Sequence, residues 1–275
     1  MTTTTRNLPY IHGFSPSEQE RLYAQAAFAE ALVYGEVDFS GARQVLEIGS
    51  GVGAQTAILL RRFPELQLNC IEINPRQIAA AQHYLAQLPT AQGRYTISTM
   101  NARQLSFGEA RFDGVFICWV LEHLKEQGEV LRQAHRVLQP GGQLYVTEVL
   151  NSQFFLDPYS PAIWKYWMAF NDYQYDHYGD PFVGAKLGNL LLAQGFSSIR
   201  TTVKYWYLDD RFPEERQVAI SMWKELLLSA EETLISNALV SQDLVKEVKR
   251  EFLLVEQQPQ QTVFIDAFVQ ARATK

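Results

Sequence analysis

The residues best suited to chemistry cluster at one turn. Glu47-Ile48-Gly49-Ser50-Gly51-Val52-Gly53 closes a short apolar run and opens a helical pattern. Glycines there let the chain turn tightly and let its backbone approach a ligand with no Cβ in the way. The helix start adds unpaired N–H groups and a partial positive charge, which suit a pyrophosphate or a carboxylate. Gly49, Gly51 and Ala54 also fit the dinucleotide pattern G-x-G-x-x-G/A. Glu72 closes the next apolar run, about where an acid grips the ribose of either kind of adenine nucleoside. Glu47, awkward beside a pyrophosphate and useful beside an ammonium, tips the balance away from a dinucleotide. Gly53, a third glycine at alternate spacing, does the same.

Histidine is the side chain whose charge changes near neutral pH. His123 follows the fourth strand pattern, at the sheet end where open α/β folds bind ligands. It reads as a base or cofactor contact, or as a cap on the next turn. His12 precedes a helix that could close over a site. His177, within Tyr175-Asp176-His177-Tyr178, is the substrate-side candidate, with a surface turn as its plainer reading. His83 and His135 lie inside helical patterns and read as structural. No Cys/His spacing suits a metal. Asp157, Asp172, Asp176 and Asp180 are separated by aromatics and read as solvated or capping groups.

The elements that must position these groups alternate. A helix is expected over about 16–34, capped by Ser15, with Pro16 in its first turn and Glu18 closing a capping box. Strands follow at 44–48, 66–73, 95–99, 112–118 and 143–150, separated by helices at 52–63, 74–87 and 125–138. Asn74 and Pro75 start the second of these helices and Pro140-Gly141-Gly142 stops the third. Strands interleaved with helices predict a doubly wound, mostly parallel α/β sheet. Residues 151–183 break the rhythm with a run of aromatics, of which Trp164, Trp167 and Tyr175, with Tyr10 upstream, are candidates to line a substrate pocket. A helix from 184 to 195, a strand at 198–207, helices at 213–239 and 242–255 and a last strand at 261–271 complete the pattern. We therefore expect one domain over 1–275. Its core is about 41–150, 184–207 and 260–272, and cap elements occupy about 8–40, 151–183 and 208–258.

Composition narrows the partners. The chain of 275 residues has 24 basic and 30 acidic residues and a net charge of −6, which disfavours a nucleic acid. No stretch reaches the roughly 18 apolar residues of a membrane helix, and the first residues lack an apolar signal core. Cys70 and Cys118 sit in apolar runs and read as buried thiols of a reducing, cytoplasmic compartment. The late helices could build the pocket or a homodimer contact.

The Glu-Ile-Gly-Ser-Gly-Val-Gly turn, Glu72 and the Leu138-Gln139-Pro140-Gly141-Gly142 turn resemble, in order and spacing, three motifs of the class I S-adenosylmethionine-dependent methyltransferases. The resemblance covers about residues 41–150 and, loosely, the last strand. It implies a seven-stranded Rossmann-like sheet whose last strand is antiparallel, and S-adenosylmethionine as cofactor with S-adenosylhomocysteine as product. It further implies that Gly49, Ser50, Gly51 and Gly53 border the methionine moiety, with Glu47 near its amino group. Glu72 would bind the ribose, Ile73 would pack on the adenine, and Gln77 would lie beside it. Asn101-Ala102 stands where the family often has an acid and a small residue at the adenine edge. Cys118, Trp119 and His123 would line the floor. Residues 10–15, Tyr10-Ile11-His12-Gly13-Phe14-Ser15, resemble the lead-in to a lid helix of small-molecule members, which here carries Glu18, Gln19 and Gln25. The expected activity is methyl transfer to a small, partly apolar or aromatic metabolite of specialised metabolism, on nitrogen, oxygen or carbon. The alternatives are an NAD(P)-dependent oxidoreductase, a methyltransferase-like fold with a non-methylating role, or aminopropyl transfer or a pericyclic reaction at the same site.

Overall fold

A computed structural model of the chain describes residues 11–177, 179–257 and 260–275. Helix α1 (Pro16–Tyr34) begins where Ser15 accepts a hydrogen bond from the Glu18 amide at 3.2 Å and Pro16 occupies the first turn. The core then alternates β1 (Gln44–Ile48), α2 (Ala54–Arg62), β2 (Gln67–Glu72), α3 (Pro75–Ala86), β3 (Tyr95–Thr99), β4 (Phe112–Cys118), α4 (Gln127–Val137) and β5 (Leu138–Val149). The inserted segment supplies β6 (Phe155–Asp157) and α5 (Pro161–Asp176). It is followed by α6 (Leu187–Ala193), β7 (Ser197–Leu208), α7 (Pro213–Ser229), α8 (Glu231–Ser236), α9 (Gln242–Gln257) and β8 (Val263–Thr274). The single helix expected over 213–239 is broken at Ala230, where α7 stops and α8 starts.

The strands form one sheet in the order β3-β2-β1-β4-β5-β8-β6, with β7 paired to the other edge of β8. β1 to β5 are parallel, and β8 runs antiparallel to β5, β6 and β7. The seven expected strands are all present. The eighth, β6, comes from the aromatic insertion, where three residues pair with the start of β8. The crossover direction reverses between β1 and β4, so a crevice opens at the carboxyl ends of those strands.

Side chains alternate between the two faces of each strand. Val45, Cys70, Phe116 and Tyr145 pack with α1 and α2 on one face. Leu46, Ile71, Val115, Ile117 and Val146 pack with α4 and α6 on the other. A third cluster joins α5, α7, α8 and α9 to Phe264 of β8 and holds Trp167, Trp223 and Phe252 fully or nearly buried. The Glu251 carboxylate of α9 accepts the Ala162 and Ile163 amides at 2.9 Å, which caps α5 and ties the insertion to the last helices. No described helix is long and apolar enough to cross a membrane.

Candidate active site

The crevice widens into a cavity of about 500 Å³. Its first half is the glycine turn. Gly49, Gly51 and Gly53 have φ of 76°, 51° and 80°, a region glycine enters without a steric cost. A Cβ on Gly49 would lie 2.5 Å from Val120 Cγ2, and one on Gly53 would lie 3.1 Å from Leu85 Cδ1. A Cβ on Gly51 would meet no atom within 4 Å. Gly51 therefore faces open space, while its neighbours are glycine for packing as well as for conformation.

Glu72 ends β2 against this turn. One carboxylate oxygen accepts the Gly51 amide at 3.0 Å, and the other accepts the Ile73 and Asn74 amides at 2.8 and 2.9 Å. Ile73, Gln77, Asn101, Ala102, Cys118 and Trp119 line the same half. Ile73 is 38% exposed although apolar, and so offers a greasy face to a planar ring. Gln77 accepts from Gln19 of α1 at 3.3 Å, which fastens the N-terminal helix over the cavity. Trp119 adopts φ of 55°, unusual for a residue with a side chain and a form of strain that gathers at functional sites.

The cavity's middle is where the histidines meet. His12 and His123 both line it, close enough for His123 to disfavour a charge on His12. His12 Nδ1 lies 2.7 Å from Ser229 Oγ, whose own proton goes to the Leu226 carbonyl at 2.7 Å. That arrangement places the His12 proton on Nδ1 and its basic lone pair on Nε2. Burial, then Arg21 and then His123 hold the His12 pKa well below its ordinary 6.5. His123 Nε2 lies 3.8 Å from Glu122 Oε1. The loop that carries His123 hangs on Glu148 of β5, a fully buried carboxyl that accepts the Val120, Leu121 and Glu122 amides at 2.9, 2.7 and 3.2 Å. Burial, then the Glu122 carboxylate, pushes Glu148 up to about 8 despite those three bonds.

The far half is aromatic. Trp167 and Phe170 of α5, Trp206 of β7, Trp223 of α7 and Phe264 and Phe268 of β8 form its walls. Asp266 stands among them and takes the Trp223 indole N–H at 3.2 Å. Burial pushes Asp266 up to about 7, with the Trp223 bond and the Ala267 amide acting against it.

Several residues singled out in the sequence lie elsewhere. Glu47 does not line the cavity. It points into the α1/α2 side of the sheet, where Thr56 Oγ1 donates to it at 2.5 Å and Cys70 Sγ lies 3.4 Å away. Alternation along β1 sends Glu47 to that face, away from the loop's ligand side. Burial raises it to about 7. Trp164 and Tyr175 stand off the cavity, half-exposed on the outer side of α5, because helical phase turns Trp167 and Phe170 inward instead. His177 stacks on Tyr173 at 4.2 Å at the end of α5, also off the cavity. Tyr10 lies outside the described residues. Glu148, Asp266 and Trp223 were missed. The strands and the helix that carry them were expected, but not which of their faces would border a cavity.

The residues present suit a nucleoside with an amino-acid tail. Ser50 Oγ is buried with no partner among the described residues, which is costly unless a ligand supplies one. Beside it are the open space at Gly51, the carboxylate of Glu72 and the apolar face of Ile73. An order 3-2-1-4-5 parallel sheet extended by an antiparallel strand, with this turn after β1, defines a Rossmann-like methyltransferase fold. Residues 46–146 match the methyltransferase domain family. An O-methyltransferase cnsE of Penicillium expansum is 29% identical over 198 residues, which span 70% of this chain and 67% of that one. A ubiquinone/menaquinone biosynthesis C-methyltransferase UbiE of Pasteurella multocida is 33% identical over 128 residues, 45% of this chain and 47% of that one. A Haemonchus contortus phosphoethanolamine N-methyltransferase 2, solved with phosphomonomethylethanolamine and S-adenosylhomocysteine, superposes with a TM-score of 0.58 at 17% identity, covering 98% of this chain and 59% of that one. The chain spans about half the length of several of the curated relatives it matches. These matches support a class I S-adenosylmethionine-dependent methyltransferase domain, to which the chain is similar over residues 46–146. They favour that reading of the glycine turn over the dinucleotide one.

Proposed function

We propose that the protein transfers a methyl group from S-adenosylmethionine to a small, partly apolar acceptor held in the aromatic half of the cavity. The observation that carries this reading is the continuity of one cavity from the glycine turn, past His12 and His123, to the chamber of Trp167, Trp206 and Trp223. When bound, the cofactor supplies an electrophilic methyl carbon on a sulfonium. Gly51, Ser50 and Glu72 hold its polar ends, and Ile73 and Ala102 pack on its ring. The aromatic walls exclude water and orient the acceptor, and orientation of this kind is worth about 7–11 kcal/mol of a barrier. His12, neutral at pH 7 with its lone pair on Nε2, is placed to take a proton from an oxygen acceptor. His123 is the second candidate base, held in place through Glu148. A role in specialised metabolism agrees with relatives named as O-methyltransferases, and the buried thiols of Cys70 and Cys118 suit the cytoplasm.

The test is thermal denaturation with S-adenosylhomocysteine or NAD. A ligand at a hundred times its dissociation constant stabilises by about 2.7 kcal/mol. We expect the nucleoside to do so and the dinucleotide not to, and the reverse result overturns the proposal. Mass spectrometry of products then separates methylation, which adds one CH₂, from other chemistry in the same fold.

A further inference from the structure

The far half of the cavity contains a group that a purely apolar acceptor does not explain. Asp266 sits on β8 between Phe264 and Phe268, which point to the same face of the strand. Directly opposite it in the sheet register is Trp206 of β7, and Trp223 of α7 donates its indole N–H to Oδ2 at 3.2 Å. Phe154 stacks on Trp223 with ring centroids 3.9 Å apart and fixes that ring. The carboxyl therefore has an indole beside it, an indole bonded to it and a phenyl ring on either side along its strand.

What it lacks is a counter-charge. Among the described residues no Lys, Arg or His side chain bonds to Asp266. The two guanidinium groups that line the cavity are engaged elsewhere. Arg21 is forked onto Glu18 at 2.7 and 2.8 Å, and Arg103 pairs with Glu126 at 3.0 Å. Asp266 is only partly buried and keeps its bonds from Trp223 and Ala267, but a carboxylate facing a ring-lined cavity with no opposite charge is costly, and a cationic ligand would complete it. Electron-rich ring faces around a carboxylate make a surround that favours a cation over any neutral or anionic group.

We propose that Asp266 is the specificity-determining residue of the acceptor site and that it anchors an ammonium group on a substrate with an aromatic or aliphatic body. The inference rests on the reading of this chamber as the acceptor site. The ammonium docks between Trp206 and Trp223 against Asp266, and the rest of the molecule extends toward His12 and His123. Selection is by charge, so neutral and anionic molecules of the same shape are turned away.

The experiment titrates three probes of one size into the full chain by calorimetry: phenethylammonium, 2-phenylethanol and 3-phenylpropionate. Each titration is run with and without saturating S-adenosylhomocysteine. We expect the cation to bind at least tenfold more tightly than the alcohol, and the carboxylate to bind weakest. Asp266→Asn, which keeps the shape of the side chain and the bond from Trp223, should erase the preference while S-adenosylhomocysteine binds as before. Equal binding of cation and alcohol to the unaltered protein, or a preference that survives in Asp266→Asn, overturns the proposal. The first of these criteria needs no variant to fold. Failure of S-adenosylhomocysteine to bind would strike the methyl-transfer reading instead, because the charge preference is read without it as well.

Discussion

Two glycines in the same turn should fail in opposite ways when replaced by alanine. At Gly49, φ of 76° places alanine in the left-handed region, at a cost of about 1–2 kcal/mol. Its Cβ would also lie 2.5 Å from Val120 Cγ2, on the loop that Glu148 holds, so that overpacking adds about 1–3 kcal/mol. Gly49→Ala should therefore lose about 2–5 kcal/mol of stability. At Gly51, φ of 51° imposes the same conformational cost, but the Cβ meets no protein atom within 4 Å. Gly51→Ala should lose only about 1–2 kcal/mol, a fall of roughly 2–8 °C in Tm for a chain of this size. The added methyl instead occupies the space where the ligand's backbone contact would form. Affinity for S-adenosylhomocysteine should drop at least tenfold, about 1.4 kcal/mol. Denaturant melts and calorimetry on both variants decide the matter. If Gly51→Ala binds S-adenosylhomocysteine like the unaltered protein, the open side of the turn is not the cofactor side, and the reasoning fails.

Glu72→Gln should weaken S-adenosylhomocysteine binding by about 1–3 kcal/mol, because an amide cannot both keep the three backbone N–H bonds and accept from a ribose; an unchanged Kd in calorimetry would remove Glu72 from the site. His12→Gln should lower kcat by about 10²–10⁴ for an oxygen acceptor with cofactor affinity unchanged, and a kcat within twofold would exclude His12 as the base. Glu47, Asp266 and Glu148 have folded pKa values raised to about 7, 7 and 8, so below those values the folded state holds protons that the unfolded chain has released. Above about 6.5 stability should therefore fall as pH rises to about 7 through all three groups, and on to about 8 through Glu148, by at most about 1.4 kcal/mol per pH unit for each group still protonated. His12, with a lowered pKa, acts in the opposite sense only below about 6.5. Melting curves of the ligand-free protein across this range check the sign, and a Tm that climbs with pH would contradict it.

Much of the scaffold was legible because its signals are local. Ser15 and Pro16 start α1, Asn74 and Pro75 start α3, and each cap acts within one turn of its own chain. The parallel strands read as short apolar runs because both their faces are covered. The glycine turn was legible for the same reason, since positive φ is a requirement of the backbone itself. β6 was not legible. Three residues in an aromatic stretch carry no periodicity, and only their pairing with β8 makes them a strand.

The sequence by itself determined the alternation of elements, the turn after β1 and the acid that ends β2, because each depends on neighbours along the chain. Only the tertiary structure decided which side of each element would face the cavity. It turned Glu47 into the sheet and Trp164 and Tyr175 outward, and brought Trp167 in. It set Glu148 beneath the His123 loop and enclosed Asp266 among rings drawn from β7, β8 and α7. Periodicity gives a helix or strand its two faces, but the choice between them belongs to whatever packs against it from distant parts of the chain.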